Sequence, residues 1–180
     1  MVYCDEVSFT KRAIQKKEWS ARYTNIQINE KEYYVPYWSV IAAVSETQGL
    51  VLAKSHDSAI DRYDFKKFLK TLHHKMAREP FALYMDNLAV HKTKVVMKQC
   101  SKLNITPLWN LSYSPDTNPI ESCFAQVKKA FKKRRLHCLV NNIEFDMKKE
   151  IRKSFKVVTK ELVKNCVKFS MKTLVNLNFE

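Results

Sequence analysis

The sequence predicts a mixed α/β fold, one sheet flanked by helices, and three observations predict it. Apolar runs of strand length alternate with segments of helical period between Val2 and Trp109. One of those runs, Phe81-Ala82-Leu83-Tyr84-Met85, closes on Asp86-Asn87, a polar step at the C-terminal end of what reads as a buried strand. Beyond Pro119 the chain reads as helix almost without interruption. The order strand, hairpin, helix, strand, helix, strand, helices closes into a layered sheet with Asp5 and Asp86 on neighbouring strands. At 180 residues the chain favours one domain over 1–180, ending in a basic helical part over 137–180. Such a length buries roughly 70 % of its unfolded surface without a staple.

Val2-Tyr3-Cys4 reads as a short strand running into Asp5-Glu6. Adjacent strand residues face opposite ways, so only one of these acids lines a given site. A strand that begins so close to Asp5 predicts a fragment or a lost upstream domain. Thr10 to Lys31 is basic and weakly patterned, with Trp19 as its anchor into the core. Tyr33 to Val44 is aromatic and β-branched, as strands are, and Leu50-Val51-Leu52-Ala53, beyond the single glycine Gly49, is its hairpin partner.

Asp61 to Met76 places Phe65, Phe68, Leu69 and Leu72 at helical spacing, with His73-His74 late in the helix. Thr93 to Leu103 suits a second helix, opened near His91, and Ile105 to Leu111 a further strand. Asn118 can cap the next helix, with Pro119 in its first position and Glu121 at N3. Asn142 to Phe155 and Lys160 to Val175 complete the helical set. In the last of these Lys160, Lys164, Lys168 and Lys172 form one basic stripe opposed by Leu162, Val163, Val167 and Leu174.

An apolar content of 46 % supports a folded core and excludes a disordered chain. No run approaches the roughly 20 apolar residues that span a bilayer. Asp5 and Glu6 break any charged-then-apolar leader, so the chain reads as soluble and intracellular. Five cysteines at wide spacings, with no Cys-x-x-Cys, read as reduced and buried thiols rather than zinc ligands. The net charge of +14 implies a polyanionic partner or a soluble basic surface. From Glu121 to Glu180 there are 15 Lys and Arg against 6 Asp and Glu, and this concentration favours nucleic acid.

Asp5, Asp86 and Glu121 are the acids to consider together. Asp86 ends a buried strand, where open α/β sheets bind ligands, and Glu121 opens a helix. Three carboxylates from distant positions converge only when a cation neutralises them. Mg²⁺ suits oxygen ligands and keeps positions open for phosphate and water. Two such ions about 4 Å apart activate a nucleophile and stabilise a leaving oxygen, which is phosphoryl-transfer chemistry on nucleic acid.

The segments Val2-Tyr3-Cys4-Asp5-Glu6, Leu83-Tyr84-Met85-Asp86-Asn87-Leu88-Ala89-Val90-His91-Lys92 and Tyr113-Ser114-Pro115-Asp116-Thr117-Asn118-Pro119-Ile120-Glu121 together resemble a known family. It is the catalytic domain of mariner-superfamily DDE transposases, matched over roughly Val2 to Lys160. The 34 residues between Asp86 and Glu121 match that family's spacing. The resemblance implies a ribonuclease H-like fold in which Asp5, Asp86 and Glu121 bind two Mg²⁺ (or Mn²⁺) ions. It implies cleavage of DNA at an element's end by a metal-bound water, then attack of the freed 3′-hydroxyl on target DNA. Asn87 and His91 match positions beside the second acid, where they support the ligands or touch phosphate. DNA ends and target are the implied partners, on a homodimer or larger assembly. The implied location is the nucleus in a eukaryote, and otherwise the cytoplasm with its DNA. This chain departs from the pattern in lacking an upstream helix-turn-helix region and in carrying Arg22-Tyr23 where a glycine is common.

Other readings stand beside these. Asn118 and Glu121 form a capping-box pattern with no need of metal, and Asp86-Asn87 alone suits a polar turn. Glu6 competes with Asp5 and Asp116 with Glu121, each reading better as a solvated or turn residue. His91 also suits a helix start. The run Lys128-Lys129 with Lys132-Lys133-Arg134-Arg135 reads as a DNA contact, a nuclear import signal or a solvated face. Three functions follow: an Mg²⁺-dependent strand-transfer enzyme, a non-catalytic DNA-binding protein derived from a transposase, or a ribonuclease H-type nuclease.

Overall fold

The computed structural model describes residues 1–10, 37–112 and 114–177. Five strands form one mixed sheet: β1 (Val2–Phe9), β2 (Trp38–Ser45), β3 (Gly49–His56), β4 (Phe81–Met85) and β5 (Ile105–Trp109). Their order is β3-β2-β1-β4-β5. The β2–β3 hairpin and the β1–β2 pair are antiparallel, whereas β4 runs parallel to β1 and β5 parallel to β4.

The first strand is longer than its apolar start suggests. It runs eight residues, because pairing with β2 continues through the acids, with Asp5 opposite Ala42 and Glu6 opposite Ile41, to Phe9 opposite Trp38. Alternation then divides the core. Tyr3, Val7 and Phe9 point to one face, and Val2 and Cys4 to the other.

Helices α1 (Arg62–Lys75) and α2 (Lys94–Lys102) cover the Val2 face, burying Phe65, Phe68, Leu69, Leu72, Val96 and Cys100. Asp61 caps α1 by accepting the N–H groups of Tyr63 and Asp64 at 2.7 and 2.8 Å. Helices α3 (Pro119–Val140), α4 (Met147–Ser154) and α5 (Lys160–Leu177) cover the Phe9 face. Phe9 meets Phe131 of α3 at 5.0 Å between ring centroids, fixing the long helix on the sheet.

Helix α2 lies between its caps Thr93 and Leu103 as outlined, with the turns around His91 ahead of it. Helix α4 is shorter than Asn142 to Phe155, because Asn142 turns left-handed at φ 52° and Asp146 caps a new start. All five cysteines are buried free thiols. The lysine stripe of α5 is solvent-exposed along its length. The readings made of Trp19, Arg22-Tyr23 and the start of the second strand fall outside the described residues. Among the described residues no helix is long and apolar enough to cross a membrane.

Candidate active site

Neighbouring parallel strands and one helix start bring the three acids to a common place. Asp5 lies on β1, Asp86 follows the last residue of β4, and Glu121 sits in the first turn of α3. All three line one cavity of about 520 Å³, together with Asn87, Asn110 and Asn118.

Asp5 is almost wholly buried. Its Oδ1 accepts the N–H of Glu6 at 2.8 Å, and its Oδ2 accepts Asn118 Nδ2 at 3.0 Å. Burial pushes its pKa from 3.8 up to about 7 against the pull of the Glu6 N–H, and the charges of Asp86, Glu121 and Glu6 add to the rise. Burial likewise raises Glu121, with Lys128 opposing and Asp86 reinforcing the shift. Asp86 behaves differently. Burial works to raise it, but His91, the Leu88 N–H and Lys92 together hold it below the ordinary carboxylate value.

His91 is completely buried, with Nε2 2.9 Å from Glu6 Oε1 and Nδ1 2.9 Å from Asp86 Oδ1. The second contact has ion-pair distance but lies off the line of the N–H bond. Burial opposes a charge on the ring, yet the two carboxylates overcome it and push the pKa up to about 9. His91 is thus a buried ring held between two acids, ahead of α2 rather than at its start.

Asn118 departs from the capping pattern. It precedes α3 with no side-chain bond to that helix, and spends its amide on Asp5 instead. Its Oδ1 is buried without a hydrogen-bond partner. Behind it, Asn110 Oδ1 accepts from Tyr84 Oη at 2.6 Å and from Thr117 Oγ1, and Asn110 Nδ2 donates to the Ser114 carbonyl at 2.9 Å. This network holds the turn between β5 and α3 against β4. Asn87 donates to the Asn110 carbonyl and accepts from Lys92 Nζ at 2.7 Å, so it braces the same turn from the cavity wall.

Sequence reasoning missed Glu6 and Asn110. Glu6 reads as solvated beside Asp5, yet its side chain is tied to His91. The signal was present: β1 is buried on both faces, so whichever acid turns away from Asp5 needs a partner. Asn110 is a buried polar residue directly after β5, marked by nothing in its local pattern.

The basic run divides. Lys128, Lys129, Lys132 and Lys133 are exposed on α3, and Arg134 lies 3.4 Å from the buried Glu150. Arg135 is not a surface cation. It is 3 % exposed, with its guanidinium 4.9 Å from the Phe145 ring centroid, because the α3 face at this turn packs inward.

The three carboxylates share a cavity but do not close on a single point. Among the described residues no three His, Cys, Asp or Glu side chains converge to hold a metal. Like charges repel across the cavity, and one oxygen of Asp86 already faces His91. The donor set is all oxygen, and the unsatisfied Asn118 Oδ1 adds one more beside Asp5. That chemistry fits a hard divalent cation.

A family model described as DDE superfamily endonuclease matches residues 1–143. The chain belongs to the DDE superfamily of endonucleases. No curated protein matches it. Among solved structures, the chain is similar to the Mos1 mariner paired end complex with Mn, at TM-score 0.67 and 17 % identity over 95 % of this chain and 52 % of the other. It is also similar to the Mos1 transposase catalytic domain with raltegravir and Mn, at 0.63 and 15 % over 97 % and 81 %. A simian T-cell lymphotropic virus intasome chain matches at 0.57 and 13 % over 86 % and 46 %. The ribonuclease H-like fold is therefore the observed one, and the chain spans about half the length of the paired-end transposase it matches.

Proposed function

We propose that this member of the DDE superfamily cleaves DNA with the help of divalent cations and transfers the freed 3′ end to a second DNA strand. The observation that carries the reading is the meeting of Asp5, Asp86 and Glu121, from three separate elements, in one cavity beside the exposed lysines of α3. Asp5, Asp86 and Glu121 would hold two ions, Mg²⁺ or Mn²⁺. When bound, these ions supply Lewis-acid stabilisation of phosphate and a water of lowered pKa. Support comes from the similar mariner structures, solved with Mn and with Mg.

The chain's own residues supply the rest. Asn118 and the Glu6 N–H fix both oxygens of Asp5. His91 and the Leu88 N–H engage Oδ1 of Asp86, so the carboxylate presents Oδ2 to the cavity. Glu121, partly exposed in the first turn of α3, lines the same cavity. Lys128, Lys129, Lys132, Lys133 and Arg134 steer and hold phosphates along α3. Assembly on DNA as a dimer or larger complex accords with the paired-end and strand-transfer complexes of the similar proteins. The site of action is wherever the DNA lies: the nucleus in a eukaryotic cell, the cytoplasm otherwise.

A second reading, a non-catalytic DNA-binding protein of the same descent, is favoured by one observation: the three acids do not converge as they stand. One experiment separates the two. Nicking of supercoiled DNA is measured across Mg²⁺ and Mn²⁺ titrations for the parent and for Asp86→Asn. The enzyme reading expects metal-dependent nicking that Asp86→Asn abolishes while DNA binding persists. Nicking absent at every metal concentration, or unchanged in the variant, defeats it.

A further inference from the structure

We infer that Glu6 is a positioning residue for the active site, orienting Asp86 through His91. The inference rests on Asp86 being a metal ligand. Glu6 shares β1 with Asp5 but faces the opposite side of the sheet, toward α1, so it cannot join the acids in the cavity. Its carboxylate instead holds His91 Nε2 at 2.9 Å. The imidazole face packs on Phe65 at 4.4 Å between centroids, and the whole side chain is shut from solvent. A ring fixed at one nitrogen and across one face has no freedom to swing. Its other nitrogen is therefore set 2.9 Å from Asp86 Oδ1.

The direction of this contact matters. The Leu88 N–H reaches the same oxygen at 3.2 Å, so both contacts fall on Oδ1 and orient Oδ2 for a cation. Glu6 also donates its own N–H to Asp5 Oδ1. One residue thereby orients two acids, through its backbone N–H and through the His91 ring. Groups that orient metal ligands in this way typically change metal affinity by about 10–100-fold when removed.

Mn²⁺ binding to the whole chain, read by the electron paramagnetic resonance of free Mn²⁺ and by the metal-induced rise in Tm, tests the inference. Glu6→Ala should raise the Mn²⁺ midpoint about tenfold. Glu6→Gln keeps an acceptor for Nε2 and should recover most of that loss. The double variant Glu6→Ala with His91→Gln should bind no more weakly than His91→Gln alone, because the two act in series. A parental midpoint in Glu6→Ala, even with a lowered metal-free Tm, overturns the role and leaves Glu6 structural. So do fully additive losses, or a Gln variant no better than Ala. Asp86→Asn is the control: if it binds Mn²⁺ like the parent, the metal reading itself fails, whereas weakened binding there with an unaffected Glu6→Ala removes only the positioning role.

Discussion

Asn118 donates its side-chain amide to Asp5 Oδ2 at 3.0 Å, joining the start of α3 to the middle of β1 across 113 residues of chain. A buried hydrogen bond to a charged group contributes about 1.5–3 kcal/mol. Asn118→Ala should lose roughly that much in urea unfolding above pH 8, where the Asp5 carboxyl, with its pKa of about 7, is ionised. Asn118→Ser retains an N-cap side chain as good as asparagine, yet should not recover the loss. Full recovery by serine would return Asn118 to an ordinary cap.

The pH dependence of the metal-free protein follows from the raised pKa values of Asp5 and His91, with Glu121 shifted in the same direction as Asp5. Asp5 rises from 3.8 to about 7 and His91 from 6.5 to about 9. A raised folded-state pKa gives stability present at low pH and lost as pH climbs through the folded value. Tm in EDTA should therefore fall between pH 4 and 7 through Asp5, and again between pH 6.5 and 9 through His91. Asp86, held low, acts the other way, and only below its ordinary 3.8. Asp5→Asn should flatten the first fall and His91→Gln the second. A Tm rising across pH 4 to 9 would contradict both assignments.

Gly49 turns the β2–β3 hairpin at φ +76°, where a Cβ would stand 2.8 Å from the backbone nitrogen of Lys160. The backbone of α5 leaves no room, and the left-handed conformation disfavours any side chain. Gly49→Ala should cost at least about 2 kcal/mol in chemical denaturation. A neutral substitution would mean that α5 can withdraw from the hairpin.

Along α3 each residue advances by about 100°, which sets Lys128 and Lys132 within roughly 20° of Glu121 and turns Lys129 and Lys133 further round. The influence of Lys128 on Glu121 agrees with this alignment. Lys128→Gln and Lys132→Gln should each remove about 0.9 from the slope of log affinity against log salt, measured by fluorescence anisotropy on duplex DNA. Arg135→Gln should leave that slope unchanged and lower Tm, since its guanidinium packs inside against Phe145. A slope change from Arg135→Gln with parental Tm would place it at the DNA.

Much of the fold was legible because its signals are local. The limits of β4 follow from a five-residue apolar run, and those of α1 from Asp61 and the spacing of Phe65, Phe68, Leu69 and Leu72, whereas β5 starts at Ile105 as expected but stops at Trp109, two residues short of Leu111. The length of β1 was not legible. Asp5 and Glu6 are poor strand residues by themselves and are held extended by ladder bonds to Ala42 and Ile41. Helical spacing sets Arg135 on the same stripe of α3 as Phe124, Phe131 and Cys138, but the pattern could not show its partner, since Phe145 belongs to a later loop.

The candidate site divides along the same line. By itself the sequence determined the residue types and spacings of the three acids and the strand end and helix start that carry two of them, because period and capping chemistry are written within a few neighbouring residues. Only the tertiary structure decided that Asn118 serves Asp5 and not its own helix, that Glu6 faces away and grips His91, and that Arg135 meets Phe145. Those pairings depend on which strands lie side by side and which face each residue presents, and sheet order is settled by burial of the whole core rather than by any local run.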